Sequence, residues 1–153
     1  MKSILLVDDE TEIAAALART LRRLRFRVET ADTAENALRA LERSRFDAVL
    51  LEFNLRWGQK GRPRTGTGLE VVRRLRASEK NIPVVIFTAM DGELYEKASL
   101  EAGADEFLSK TGGFVHLVAR VLAFMRRSER TLEAGSADRF GRNRPGAFLG
   151  GTS

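Results

Sequence analysis

Short uninterrupted apolar runs alternate along this chain with segments whose apolar residues recur every three or four positions. Ser3 to Val7 (SILLV) is such a run and ends at Asp8 and Asp9, as suits a strand buried on both faces of a parallel sheet. Ile13, Leu17, Leu21 and Leu24 follow at spacings of four, four and three with arginines between them, the pattern of a helix with one buried face. The alternation continues with strands predicted from Arg25 to Thr30, Phe46 to Leu51, Ile82 to Phe87 and Asp105 to Leu108. Between and after them lie helices predicted from Ala34 to Arg43, Gly68 to Ser78, Gly92 to Glu101 and Gly113 to Arg127. Five strands alternating with five helices predict an α/β fold, a five-stranded parallel sheet with right-handed crossovers and helices on both faces. In such doubly wound sheets a ligand site lies beyond the carboxyl ends of the central strands. Those ends carry Asp8, Asp9, Glu52 and Thr88, with Lys110 just after the fifth strand.

At 153 residues and 43% hydrophobic content the chain suits one domain with a buried core. Cysteine is absent and His116 is the only histidine, which excludes disulfides and thiolate zinc sites. The first apolar run is too short for a signal-peptide core or a membrane span, so a cytoplasmic location is expected. The net charge of +5 is uneven: Arg56, Lys60, Arg62 and Arg64 sit in a stretch with no acid, and six cations face three acids from Arg126 onward. The remaining body is mildly acidic. After Arg127 the apolar period stops, so residues 1–127 read as the domain and 128–153 as a flexible or binding-ordered basic tail. Phe140, Phe148 and Leu149 are its large apolar anchors after Leu132.

The segments ILLVDDE, VVIFTA and GADEFLSK, with GLEVVRRLR between the first two strand-end acids and the fourth strand, resemble the receiver domain of bacterial response regulators. The resemblance covers about the first 125 residues and implies a flavodoxin-like (βα)5 fold serving two-component or phosphorelay signalling. In that family an aspartate closing the third strand takes a phosphoryl group from a histidine kinase, with Mg2+ bound by the acids. By resemblance, Asp8, Asp9, Glu52 and the Asn54 carbonyl form the Mg2+ set, hard oxygen donors of the kind the ion takes. Thr88 and Lys110 match the residues that hold the phosphoryl oxygens, and Phe107 matches the aromatic switch. Tyr95, Lys97, Glu101, Asp105 and Arg120 fall on the family's output and dimerisation face, which implies protein partners and a homodimer. No membrane partner is implied.

Three features depart from the family pattern. The phosphoacceptor position holds Glu52, whose extra methylene carries the carboxylate outward by roughly 1.3 Å, and in-line transfer tolerates such misplacement poorly. The expectation is an atypical receiver that signals by protein contact without phosphorylation, with Glu52 reaching toward Lys110 and Thr88. Glu52 then either imitates a phosphoryl group or pairs with Lys110 and leaves the domain inert. Mg2+ binding is expected to be weak. The stretch after the third strand, FNLRWGQKGRPRTGTG, is longer than the family's loop, has Arg56 where a proline is usual, and includes Trp57 as the only tryptophan. Its glycines lack the spacing of a phosphate-binding loop, so Arg56, Trp57, Lys60, Arg62 and Arg64 read as a loop that covers the acids or meets an acidic partner. Thr111 stands where the family has a proline, and His116 reads as a surface or packing residue. The competing functions are residual Mg2+-dependent phosphoryl transfer at Glu52 and weak, salt-sensitive nucleic-acid binding by the basic loop and tail.

Overall fold

The computed structural model describes residues 1–141 apart from 57, 59–66 and 91. Its elements are β1 (Ser3–Val7), α1 (Thr11–Arg23), β2 (Arg27–Ala31), α2 (Ala34–Arg43), β3 (Ala48–Leu51), α3 (Thr67–Ala77), β4 (Val84–Thr88), α4 (Glu93–Ala102), β5 (Glu106–Ser109) and α5 (Phe114–Gly141). A short 3-10 turn, Lys110–Gly112, joins β5 to α5. All five strands are parallel, in the order β2-β1-β3-β4-β5, as the alternation predicts.

Period-two burial divides the core into two layers. Leu5, Val7, Val49, Leu51, Val84 and Ile86 face α2, α3 and α4 on one side of the sheet. Ile4, Leu6, Leu50, Val85, Phe87 and Leu108 face α1 and α5 on the other. The chain leaves β1 toward β2 on one side and leaves β3 toward β4 on the other, so the crossovers part between β1 and β3. A crevice is left between the ends of β1 and β3 as a result.

The helices begin and end for local reasons. Thr33 caps α2 by accepting the Asn36 N–H at 3.1 Å. Thr33→Ala should cost about 1 kcal/mol in a urea melt, and an unchanged midpoint would show the cap to be idle. Helix α1 stops at Arg23, and Arg25 adopts a left-handed φ of 69°. The chain turns there, so Leu24 is 46% exposed and not part of the buried stripe predicted for it. Ala14 and Ala18 take the burial instead, beside Leu17 and Leu21. The largest departure is α5, which continues as helix through residues 128–141, a stretch read from the sequence as flexible tail. Apolar periodicity reports only a packed face, whereas Glu129, Arg130, Leu132, Glu133 and Ala134 favour helix with or without one. Residues 142–153 lie outside the described residues, as do Trp57, Lys60, Arg62 and Arg64 of the basic loop.

Candidate functional site

The carboxyl ends of β1 and β3 and the turn after β5 bring three charged side chains into one buried contact. Glu52 is held in line with β1 because its N–H donates to the Val7 carbonyl at 2.9 Å. The Asp8 N–H donates to the Ala31 carbonyl at 3.0 Å, which ties the other flank to β2. Lys110 Nζ then donates to Asp8 Oδ2 at 2.8 Å and to Glu52 Oε1 at 3.0 Å. Glu10 Oε2 lies 3.7 Å away on the solvent side, and the Phe87 ring lies under the ammonium with its centroid at 4.8 Å. Asp8 and Glu52 are each 4% exposed, so the pairing takes place largely out of water.

The remaining carboxylate oxygens are also engaged. Asp8 Oδ1 accepts the Glu10 N–H at 2.9 Å, and Glu52 Oε2 accepts the Asn54 N–H at 3.3 Å. No buried side-chain polar atom lacks a partner among the described residues. Burial pushes the Asp8 carboxyl above its ordinary value, outweighing the Lys110 hydrogen bond that pulls it down. Burial works against the Lys110 ammonium too, but its hydrogen bond to Asp8 and the charges of Glu52 and Asp8 hold its pKa above the ordinary value. The lysine is therefore a fixed cation at neutral pH.

Two backbone features hold this geometry. Gly68 opens α3 against the end of β3, donating its N–H to the Phe53 carbonyl at 2.9 Å. A Cβ on Gly68 would lie 2.2 Å from the Glu52 carbonyl oxygen, so only glycine allows this approach. On the other flank, Ser109 caps the turn that carries Lys110 by accepting the Thr111 N–H at 3.2 Å. The Ser109 and Thr111 hydroxyls are hydrogen-bonded at 2.6 Å, and no described peptide bond is cis. Lys110 reaches the acids with threonine where the family has proline.

The other expected site residues fall out unequally. Thr88 is buried at the end of β4, but its hydroxyl accepts the Met90 N–H at 3.2 Å, a turn of its own backbone. The expected reach of Glu52 is thus met at Lys110, while this Thr88 bond is local. Asp9 has only 3% of its side chain exposed and lies 3.8 Å from Arg56 Nε. Asp8, Asp9, Glu52 and Asn54 are neighbours, yet no group of three acidic or imidazole side chains among the described residues is arranged to hold a metal ion. The place between Asp8 and Glu52 is taken by the Lys110 ammonium, and as arranged the donors fit that cation and not a divalent ion.

On the α4–β5–α5 side, half-buried Phe107 packs against the core and lines a groove of about 330 Å³ with Glu96, Ser109, His116 and Arg120. His116 is exposed there. Lys97 and Glu101 pair on the α4 surface at 3.8 Å. Tyr95 and Asp105 depart from the expected face. The Tyr95 ring meets Phe53 edge-on with centroids 5.3 Å apart, which turns it inward toward β3. Asp105 accepts the Val84 N–H at 2.8 Å and pairs with Arg76 at 3.0 Å, holding β4 to β5 from the far end of the sheet. Arg76, which sequence reasoning missed, also donates to the carbonyls of Gly103, Lys80 and Ile82. Nothing in the sequence separates it from Arg73 and Arg74 beside it.

Comparison with known proteins agrees with this fold. The chain is 37% identical over 133 residues to the transcriptional regulatory protein PrrA of Mycobacterium bovis, covering 87% of this chain and 54% of that protein. It is 36% identical over 138 residues to the sensory transduction protein RegX3 of Mycolicibacterium smegmatis, covering 90% and 57%. The chain thus spans about half the length of the curated relatives it matches. Among solved structures, the receiver domain of RstA from Klebsiella pneumoniae superposes with a TM-score of 0.68 at 27% identity, covering 81% of this chain and 98% of that one. A receiver domain protein from Methanospirillum hungatei gives 0.72 at 24% identity, covering 86% and 98%, and shares the fold. The response regulator receiver domain model matches residues 4–122. That match runs through both sides of the buried contact, from the β1 acids to Lys110, and the chain therefore belongs to the response regulator receiver domain family.

Proposed function

We propose that this chain is an atypical, cytoplasmic response regulator module that signals through protein contacts without being phosphorylated. The observation that carries the reading is the buried bridge from Lys110 to Asp8 and Glu52 at 2.8 and 3.0 Å. Glu52 stands at the acceptor position, carries one methylene too many, and already holds the lysine that would meet a phosphoryl group. The local bond of Thr88 to Met90 favours an inert lock over imitation of a phosphoryl group, because a mimic would draw that hydroxyl inward. Partners are a histidine kinase or an output protein, met on the α4–β5–α5 side, which also serves a second copy. Whole-protein activities named for the longer relatives, such as transcriptional regulation, would need a partner or further chain.

The test is labelling of the full chain by acetyl phosphate with Mg2+. Transfer would form an acyl phosphate on the carboxylate of residue 52 and release acetate. The native chain is expected to stay unlabelled, and Glu52→Asp to label at least roughly a hundredfold faster, the scale of an ångström-sized misplacement. Stable label on native Glu52 would overturn the proposal and favour residual phosphoryl transfer. Failure of both chains would mean that side-chain length at residue 52 is not what blocks the reaction.

A further inference from the structure

The pocket acids Asp8, Asp9 and Glu52 bear up to three negative charges, and two of the chain's own cations reach them. Lys110 stands between Asp8 and Glu52. Arg56 Nε stands 3.8 Å from Asp9 Oδ2 on the other flank. The position of Arg56 is built into the backbone. It forms a parallel bridge with Thr33, and its carbonyl accepts the Ala34 N–H at 2.8 Å, at the start of α2. The chain leaving β3 therefore crosses back over the sheet's carboxyl edge toward β2, and this path brings the guanidinium beside Asp9.

We propose that Arg56 does at Asp9 the electrostatic work of a divalent cation, so that the pocket carries its own positive charge and excludes Mg2+. Magnesium demands near-octahedral oxygen ligation and gives up its water reluctantly. Of the carboxylate oxygens it would need, Asp8 Oδ2 and Glu52 Oε1 accept from Lys110, Asp8 Oδ1 and Glu52 Oε2 accept from backbone N–H groups, and Asp9 Oδ2 faces the guanidinium at 3.8 Å. An entering ion would have to displace these contacts while lying close to the buried Lys110 ammonium and to the Arg56 guanidinium, whose side chain is 59% exposed and so the better screened of the two. Arg56 is thus a specificity-determining residue for the pocket's cation. The inference is independent of whether Glu52 accepts a phosphoryl group, since it concerns the ion and not the acceptor.

The experiment is calorimetric titration of the chelator-stripped full chain with MgCl2, with Trp57 fluorescence as a second readout beside residue 56. Arg56→Gln is expected to bind Mg2+ roughly tenfold or more tightly than the native chain, as removal of one nearby like charge implies. Arg56→Lys, which keeps the charge, should bind as weakly as the native chain. Arg39→Ala is the control, because it removes one cation from an exposed pair with Glu35 on α2. Native binding as tight as that of Arg56→Gln would overturn the proposal, and so would equal tightening by Arg39→Ala. If Arg56→Gln binds no better while a circular dichroism melt shows it folded, Lys110 alone excludes the ion and the role given to Arg56 fails.

Discussion

Lys110→Met should lower the unfolding free energy by about 3–5 kcal/mol at neutral pH, the usual result of removing one partner from a buried charge cluster. Methionine keeps an unbranched stem above Phe87, so the loss would come from the charge and not from a cavity. Asp8 and Glu52 would then face each other, both buried, with no cation between them. The pH dependence provides a signature. The Asp8 carboxyl is already raised by burial, and losing Lys110 removes the largest influence that pulls it down, leaving the Glu10 N–H, so its folded-state value climbs further from 3.8. A carboxyl raised in the folded state contributes stability that is complete below its unfolded value and lost as pH rises through the folded one. The deficit of the variant should therefore shrink as pH falls toward 3.8 and be full near neutrality. At the alkaline end the sign belongs to the lysine. Its contribution is present below 10.5 and lost as pH rises through its raised folded value, so only the native chain should lose stability in that window. Urea melts across pH measure both arms. A deficit under 1 kcal/mol, or one flat with pH, would mean that water reaches the bridge.

Gly68→Ala should cost about 3 kcal/mol or more, at the upper end of overpacking effects. The added methyl would meet the Glu52 carbonyl at 2.2 Å and the Phe53 carbonyl at 2.9 Å, and both are backbone atoms that cannot swing aside. Either α3 moves away from β3 or the end of β3 shifts, carrying Glu52 off Lys110. Gly113→Ala makes the useful contrast. Gly113 has φ +93° but nothing within 4 Å of a new Cβ, so its cost is conformational alone, about 1–2 kcal/mol. Thermal melts of the two variants would separate crowding from strain. A Gly68→Ala protein that melts like the native chain would show that α3 does not brace the pocket.

The central strands β1, β3 and β4 were legible because each is an apolar run meeting a polar residue, the composition that cover on both sides demands, while the edge strands β2 and β5 mix polar with apolar positions. Helix α2 is bounded as expected, Ala34–Arg43, because Thr33 offers a cap and the alanines at 37 and 40 fit closely under the helix. Leu24 misled because spacing alone cannot see that Arg25 turns left-handed one residue later. Residues 128–141 misled for the opposite reason, since helix propensity can carry a stretch whose sequence offers no sustained apolar period to read. In the site, Asp8, Asp9, Glu52 and Lys110 could be picked from their places at strand ends, which the topology forces together. The partners that hold them could not. The glycine at 68, the Ser109 cap and the crossing of Arg56 to Thr33 depend on close approaches between segments distant in sequence, and no local pattern records these.

Lys110 lies 102 residues from Asp8 and 58 from Glu52 along the chain. During synthesis the two acids therefore exist well before their counter-charge, Glu52 by roughly 3–12 s and Asp8 by roughly 5–20 s at translation rates of about 5–20 residues per second. A growing chain in which β1, β2 and β3 have paired would have to bury these carboxylates unpaired, or keep that edge of the sheet hydrated and loose. Closure of the crevice must then wait for the fifth strand, when the first and last strands are joined by a single ammonium group. The bridge acts as an assembly checkpoint: a chain cut short of residue 110 would present an open, acidic crevice, and only the completed sheet can seal it.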